Sequence, residues 1–472
     1  MKSITHVILL VFIAVLIFNR PLPGAAQGNK QNDVTGNWAG TLDLSGFKVE
    51  MIFVISQSVD GKLTAKMAIP SQGALGIRVD KVVTKNDSLY IDVPSIRGDY
   101  KGKFSESQTF EGKWTQRGIS VPLILKKTEK VSGLSRPQTP EKPYPYNEEE
   151  VVFQNQRDGI KLTGTLTLPK GNGKFPAAVL ITGSGAQDRD ETIYGHKPFL
   201  VLADYLTRHG IAVLRADDRG VGGSGGNIRD ATIEELGRDV IAAVDLLKSQ
   251  KQIIPDKIGL IGHSEGGIVA PLVANFMKDI AFVVLWAAPG IVGEHILYQQ
   301  GVLLNKATGL SETQIQNNYK MQNAIFSIIK NEEDSAQRIE KLQNVFSNGI
   351  YESLNKEQKK AIDQQIETVN TPWFKFFLSY NPYPALMKLQ CPVLALAGEK
   401  DLQVPSKSNL EAIEKALIEG GHQNYKVMEL ENLNHLFQNC ETGGISEYGQ
   451  IEETISPDAL KVITSWILET VK

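Results

Sequence analysis

Gly262-His263-Ser264-Glu265-Gly266, with Gly267 next, places a serine between glycines two residues away on either side. An apolar run, Ile258 to Ile261, ends directly before it, and a helical pattern, Ile268 to Phe276, begins directly after it. A strand, a sharp turn and a helix in that order lift a serine hydroxyl clear of a sheet, and the glycines keep side chains out of the tight turn. The chemistry this permits is acyl transfer. A serine hydroxyl attacks a carbonyl only if a base takes its proton, and the base needs a carboxylate to orient it. In the chain order this turn favours, acid and histidine both follow the serine. The histidines after Ser264 are His295, His422 and His435. His295 opens a polar stretch and His422 lies in the turn Gly420 to Asn424, which suits surface imidazoles. His435 follows the strand run Lys426 to Leu430 by the short loop Glu431-Asn432-Leu433-Asn434, and is the expected general base. Asp401, in Gly398-Glu399-Lys400-Asp401, is the expected acid, with Glu399 as its competitor. The tetrahedral oxyanion needs backbone donors. These are expected from Glu265, after the serine, and from Ser184 or Gly185 in Thr182-Gly183-Ser184-Gly185-Ala186, after the first parallel strand run.

Other clusters point elsewhere. Asp188-Arg189-Asp190-Glu191 and Asp217-Asp218-Arg219-Gly220 occupy two adjacent βα loops, where opposite charges can pair and brace the loop after the first parallel strand. Gly222-Gly223-Ser224-Gly225-Gly226 has no lysine and opens no phosphate-binding motif, so it reads as a flexible loop. His, Asp and Glu do not recur at metal-ligand spacing. No metal and no cofactor are expected.

Two kinds of element position these residues. From about 30 to 130 apolar residues alternate: Val49, Met51, Phe53 and Ile55, then Leu63, Ala65, Met67 and Ile69, then Leu89, Ile91 and Val93, then Val121, Leu123 and Leu125. A period of two with turn signals every ten or so residues predicts a small all-β barrel or sandwich. Residues 131–148 carry Pro137, Pro140, Pro143 and Pro145 and predict an extended linker. Across 149–472 short apolar runs alternate with amphipathic helical patterns, which predicts an α/β fold: a mostly parallel sheet with helices on both faces. One stretch, at about 294–385, lacks strand runs and is too long for a connection, so a helical cap inserted between two strands is expected. Its aromatic cluster, Trp373, Phe374, Phe376, Phe377, Tyr380 and Tyr383, suits either an apolar acyl pocket or plain core.

The whole chain has 472 residues, 50 basic and 53 acidic side chains, 42% hydrophobic residues and two cysteines. A balanced charge without basic runs excludes a nucleic-acid footprint. Lys2, the apolar run Val7 to Phe18 and Gly24-Ala25-Ala26 predict a cleaved signal peptide over 1–26, hence export to the periplasm or medium. Twelve apolar residues are too few to span a bilayer, so no stable membrane insertion is expected after cleavage. Cys391 heads one predicted strand and Cys440 lies beyond the end of another, so both are expected to be free.

Together, Gly183-Ser184-Gly185-Ala186-Gln187-Asp188-Arg189-Asp190-Glu191, Gly262 to Gly267, Gly398 to Pro405 and Leu433-Asn434-His435-Leu436-Phe437-Gln438 resemble the EstD-like group of bacterial carboxylesterases, within an α/β-hydrolase fold covering about Glu150 to Lys472. The segment Ile69-Pro70-Ser71-Gln72-Gly73 and Gly112-Lys113-Trp114 resemble that group's small β-rich N-terminal domain. Thr182 stands where lipase-type patterns often carry a His-Gly pair. The resemblance implies Ser264 as nucleophile, Asp401 as acid and His435 as base. The expected activity is hydrolysis of small-molecule acyl esters by a serine carboxylesterase. The alternative is a serine peptidase or amidase of the same fold, and a third reading is a non-catalytic binding protein. Acyl chain length, the alcohol and the oligomeric state stay open.

Overall fold

A computed structural model describes residues 34–472 apart from 45–46, 59–60, 70–73, 86, 106–108, 117–118 and 129–135. The expected signal peptide, residues 70–73 and the start of the expected linker lie outside the described residues.

Nine strands come first: β1 (Gly36–Leu44), β2 (Phe47–Gln57), β3 (Leu63–Ile69), β4 (Ala74–Arg78), β5 (Lys81–Lys85), β6 (Ser88–Val93), β7 (Gly98–Phe104), β8 (Thr109–Gln116) and β9 (Ile119–Thr128). They form one antiparallel sheet in the order β4-β3-β2-β1-β9-β8-β7-β6-β5. Its two edge strands follow each other in the chain, and β3 approaches β5, so the sheet curls around a single core. The four alternating sets all face that core, with Trp38, Tyr100, Phe110 and Trp114 filling its centre. Of the two expected architectures the barrel-like one is realised, because one curled sheet buries every inward face without a second sheet.

The described part of the linker is tied down. Arg136 donates to the carbonyls of Ile451, Tyr194 and Gly449 at 2.8, 2.8 and 3.0 Å, and Gln138 donates to that of Ile455 at 2.7 Å. Tyr146 reaches the Asp204 carboxylate at 2.9 Å.

The second sheet has eight strands: β10 (Asn147–Asn155), β11 (Ile160–Leu168), β12 (Phe175–Ile181), β13 (Ala212–Ala216), β14 (Ile253–His263), β15 (Val283–Trp286), β16 (Val393–Gly398) and β17 (Tyr425–Leu430). Their order is β10-β11-β13-β12-β14-β15-β16-β17, and β12 to β17 are mutually parallel behind an antiparallel leading hairpin. Alternation splits each strand between two cores. Ala177, Val179 and Ile181 of β12 pack with α2 (Ile233–Ser249), α3 (Gly266–Phe276) and α10 (Ser406–Glu419). Ala178 and Leu180 face the opposite way, with α1 (Pro198–Arg208) and α12 (Pro457–Thr470). A parallel sheet buried on both faces needs such continuous apolar strands, each buried Leu or Ile contributing about 1.5–3 kcal/mol.

Between β15 and β16 run α4 (Gly293–Ala307), α5 (Glu312–Asn331), α6 (Ser335–Ser347), α7 (Lys356–Val369), α8 (Pro372–Ser379) and α9 (Tyr383–Met387). Side-chain caps at Ser311, Asp334, Asn355 and Thr371 open four of them, which is why a polar, Gln/Asn/Lys-rich stretch becomes helical. They bury a small core of their own: Ile325, Phe326, Ile329, Leu342, Ile366, Val369, Phe374 and Leu378. Among the described residues no helix is long and apolar enough to cross a membrane.

Candidate active site

The candidate residues gather at the C-terminal ends of the parallel strands, where an open α/β sheet presents its loops. Ser264 follows β14 directly, with φ of 51°. A left-handed backbone at a serine costs on the order of 1–3 kcal/mol and persists only where its surroundings enforce it. Here the Ser264 N–H donates to the Trp286 carbonyl at 2.8 Å, and two glycines admit close backbone. A Cβ on Gly262 would stand 2.1 Å from the Gly266 carbonyl oxygen, and one on Gly266 would stand 2.2 Å from that of Ile181.

Asp401 follows β16 and is buried. Its Oδ1 accepts the N–H groups of Gln403 and Val404, both at 2.8 Å, and its Oδ2 accepts Nδ1–H of His435 at 2.7 Å. Glu399 turns away and accepts the Asn432 N–H at 2.8 Å. The His435 loop is built on buried Asn434, whose Oδ1 accepts from Leu436 and Gln438 at 3.0 Å each. His422 donates to the Cys391 carbonyl at the start of β16, the other end of that strand, and His295 is exposed on α4. Asp401 and His435 are therefore joined, and Ser264 lies one residue from His263, whose ring centroid is 4.9 Å from that of His435. Ser264 Oγ and His435 Nε2 form no hydrogen bond with any described residue.

The N–H groups of Glu265, Ser184 and Gly185 are likewise unclaimed among the described residues, and Gly185 has φ of 103°. Their loops meet: a Cβ on Gly183 would sit 3.4 Å from Ser264 Cβ. Gly183 itself gives its N–H to Glu191 Oε1 at 2.6 Å.

The two charged loops do pair. Arg189 holds Asp217 through Nε at 3.1 Å and Nη2 at 2.7 Å, and its N–H reaches the same carboxylate at 3.0 Å. Burial would raise the Asp217 carboxyl, but Arg189 outweighs it and holds it below the usual range. Asp218 accepts Thr182 Oγ1–H at 2.7 Å and the Gln187 N–H at 2.9 Å, fixing both ends of the Gly183 loop. Its own carboxyl is pushed well up by burial.

Three residues of this site carried no distinct signal in the sequence. Glu191, within the charged cluster, bonds not to an arginine but to His263 Nδ1 at 2.8 Å. His263 lies inside the serine motif, yet its role depends on two loops distant in the chain. Trp373, in α8, donates its indole N–H to Glu265 Oε1. Burial lifts the Glu265 carboxyl to about 7 against the Trp373 hydrogen bond, which lowers it. Among the described residues no group of three His, Cys, Asp or Glu side chains is placed to hold a metal, and Cys391 and Cys440 are both free.

Residues 158–427 match the family described as X-Pro dipeptidyl-peptidase (S15 family). The chain belongs to the S15 family. It is a hydrolase built on a mostly parallel sheet with helices on both faces. This S15-family chain is similar to Esterase EstD of Thermotoga maritima, 28% identical over 334 residues that cover 70% of the chain and 72% of the relative. It is also similar to Thiohydrolase aneE of Aspergillus aculeatus, 34% identical over 130 residues, or 27% of the chain and 37% of that protein. Among solved structures, the α/β-hydrolase GrgF from Penicillium sp. sh18 aligns over 69% of the chain and 98% of its own length, at 17% identity and a TM-score of 0.43.

Proposed function

We propose that the protein is an exported serine carboxylesterase that hydrolyses acyl esters through an acyl-enzyme. The observation that carries the reading is the buried 2.7 Å hydrogen bond from His435 to Asp401 beside a serine held at positive φ at the end of β14. In this reading Asp401 fixes the His435 tautomer, so that Nε2 is the free acceptor. Nε2 takes the Ser264 proton as Oγ attacks the ester carbonyl. The carbonyl oxygen becomes an oxyanion held by the Glu265 N–H and by the N–H of Ser184 or Gly185. His435 then protonates the leaving alcohol, and water repeats the sequence to release the acid. The helices between β15 and β16 act as a cap, and Trp373 is the cap residue that reaches the elbow.

Esterase EstD, similar over most of both chains, supports ester cleavage. The family description supports a second reading, cleavage of an X-Pro peptide amide by the same residues. Purified enzyme is assayed on short-chain nitrophenyl esters and on an X-Pro anilide, with fluorophosphonate labelling mapped by mass spectrometry. Ester turnover with the label on Ser264 is expected. Faster anilide cleavage reverses the substrate assignment, and a label elsewhere overturns the nucleophile. N-terminal sequencing of protein recovered outside the cytoplasm tests export, with Gln27 as the expected first residue.

A further inference from the structure

His263 and Glu191 belong to neither the nucleophile, the acid nor the base, yet both are buried in the middle of the site, at 4% and 3% exposure. His263 Nδ1 faces Glu191 Oε1 at 2.8 Å, and Nε2 faces the main-chain carbonyl of His435 at 3.2 Å. Both partners are acceptors. A neutral imidazole carries one N–H and can serve one of them; only the doubly protonated ring serves both. Glu191 Oε1 also takes the Gly183 N–H at 2.6 Å, the short separation of a bond to an ionised carboxylate. Glu191 stands at φ of 52° to make these contacts, and its Oε2 is buried with no partner among the described residues. Strain and an unpartnered oxygen in one buried residue mark a site where position is held at a cost in stability.

We propose that His263 is a permanently charged imidazolium, paired with the Glu191 carboxylate, and that this buried pair is a positioning device for the reaction at Ser264. Its three hydrogen bonds tie the Gly183 loop, the serine turn and the His435 loop to one another. Its cation lies 4.9 Å, centroid to centroid, from the His435 ring. The titratable groups facing the pair are Asp401 after β16, His435 after β17 and Asp218 after β13. Burial works against charge on His263; Glu191, the His435 carbonyl and Asp401 outweigh it and raise the imidazole above its ordinary value. The inference rests on His435 being the base, but the protonation state of His263 does not.

The test has two arms. In protein labelled with 15N in its histidine rings, the His263 signals, identified by their absence from His263→Asn, should show both nitrogens protonated from pH 6 to 8.5. In Glu191→Gln the ring should lose a proton within that range, and this shift identifies the signals if His263→Asn does not fold. A neutral His263 ring at pH 7 in the unaltered protein overturns the proposal. In the second arm kcat and KM are measured separately. With the tie between the three loops gone, kcat of His263→Asn should fall by on the order of tenfold while KM holds. A raised KM with kcat unchanged would mean that His263 does not position the reacting groups. That result leaves the Ser264 reading standing, whereas an active Ser264→Ala enzyme would end the latter and leave the spectroscopic arm intact.

Discussion

The indole N–H of Trp373 donates to the carboxyl of Glu265, joining α8 of the insertion to the residue that follows Ser264. The two are 108 positions apart in the chain, and the bond carries a polar contact from the insertion to the serine turn.

That carboxyl gives stability a pH dependence. Glu265 has an ordinary value of 4.5 and is raised to about 7 by burial. The folded state therefore holds a proton that the unfolded state has released between those values. Stability is complete below about 4.5, falls as pH rises toward 7, and levels off above it, a loss of roughly 3 kcal/mol. Glu265→Gln should gain about that much relative to the unaltered protein between pH 5 and pH 8 in urea unfolding. Parallel stability curves for the two proteins would show that the carboxyl titrates normally.

Trp373→Phe keeps an aromatic ring stacked on Phe377, whose centroid lies 5.3 Å away, but removes the donor. The bond favours the charged form of Glu265, so its loss should cost about 1.5–3 kcal/mol at pH 8 and clearly less at pH 5. Equal losses at both pH values, read from denaturant midpoints, would assign the effect to packing.

Asp401→Asn retains the size of the acid but cannot hold His435 in the tautomer that leaves Nε2 open, so kcat should fall by about 10³- to 10⁴-fold with KM little changed. Glu399→Gln, which alters the side chain that accepts the Asn432 N–H, should stay within about threefold. Ester turnover of the two variants side by side separates the carboxylates, and the opposite pattern would transfer the role to Glu399.

A methyl group on Gly266 would meet the Ile181 carbonyl oxygen at 2.2 Å, and β12 cannot retreat because it is paired with β13 and β14 on either side. Gly266→Ala should lower stability by about 3 kcal/mol and take most of the activity with it. Thermal unfolding followed by circular dichroism checks the first and ester turnover the second.

What could be read from the sequence follows the range over which each signal acts. Apolar period carries the elements: the run Lys426 to Leu430 lies within β17, and the helical pattern Ile268 to Phe276 lies within α3. The run Ile258 to Ile261 falls short of the strand, because β14 begins at Ile253 and its pairing with β12 shifts register between Phe175 and Ala177, an irregularity that breaks the pattern. The serine turn was legible because its glycines are a local requirement, and motif order singled out Asp401 and His435, which the fold brings within 2.7 Å. Glu191, His263 and Trp373 were not legible in their present partnerships. Each depends on two loops packing together, and nothing in Asp188-Arg189-Asp190-Glu191 distinguishes the carboxylate that pairs with an arginine from the one that turns inward. The proline-rich segment reads as extended, but its attachment through Arg136 to carbonyls more than 300 residues onward is a tertiary fact.

The N-terminal sheet pairs its first strand with its last: Asn37 lies opposite Thr128, and every other pairing joins neighbours in sequence. The chain thus enters and leaves this unit at one place, about 5 Å apart. A unit closed at its own base can be excised or grafted as a cassette without asking the rest of the polypeptide to bridge a gap. Its strands can also zip hairpin by hairpin, leaving the pairing of β1 with β9 as the single long-range closure in its assembly.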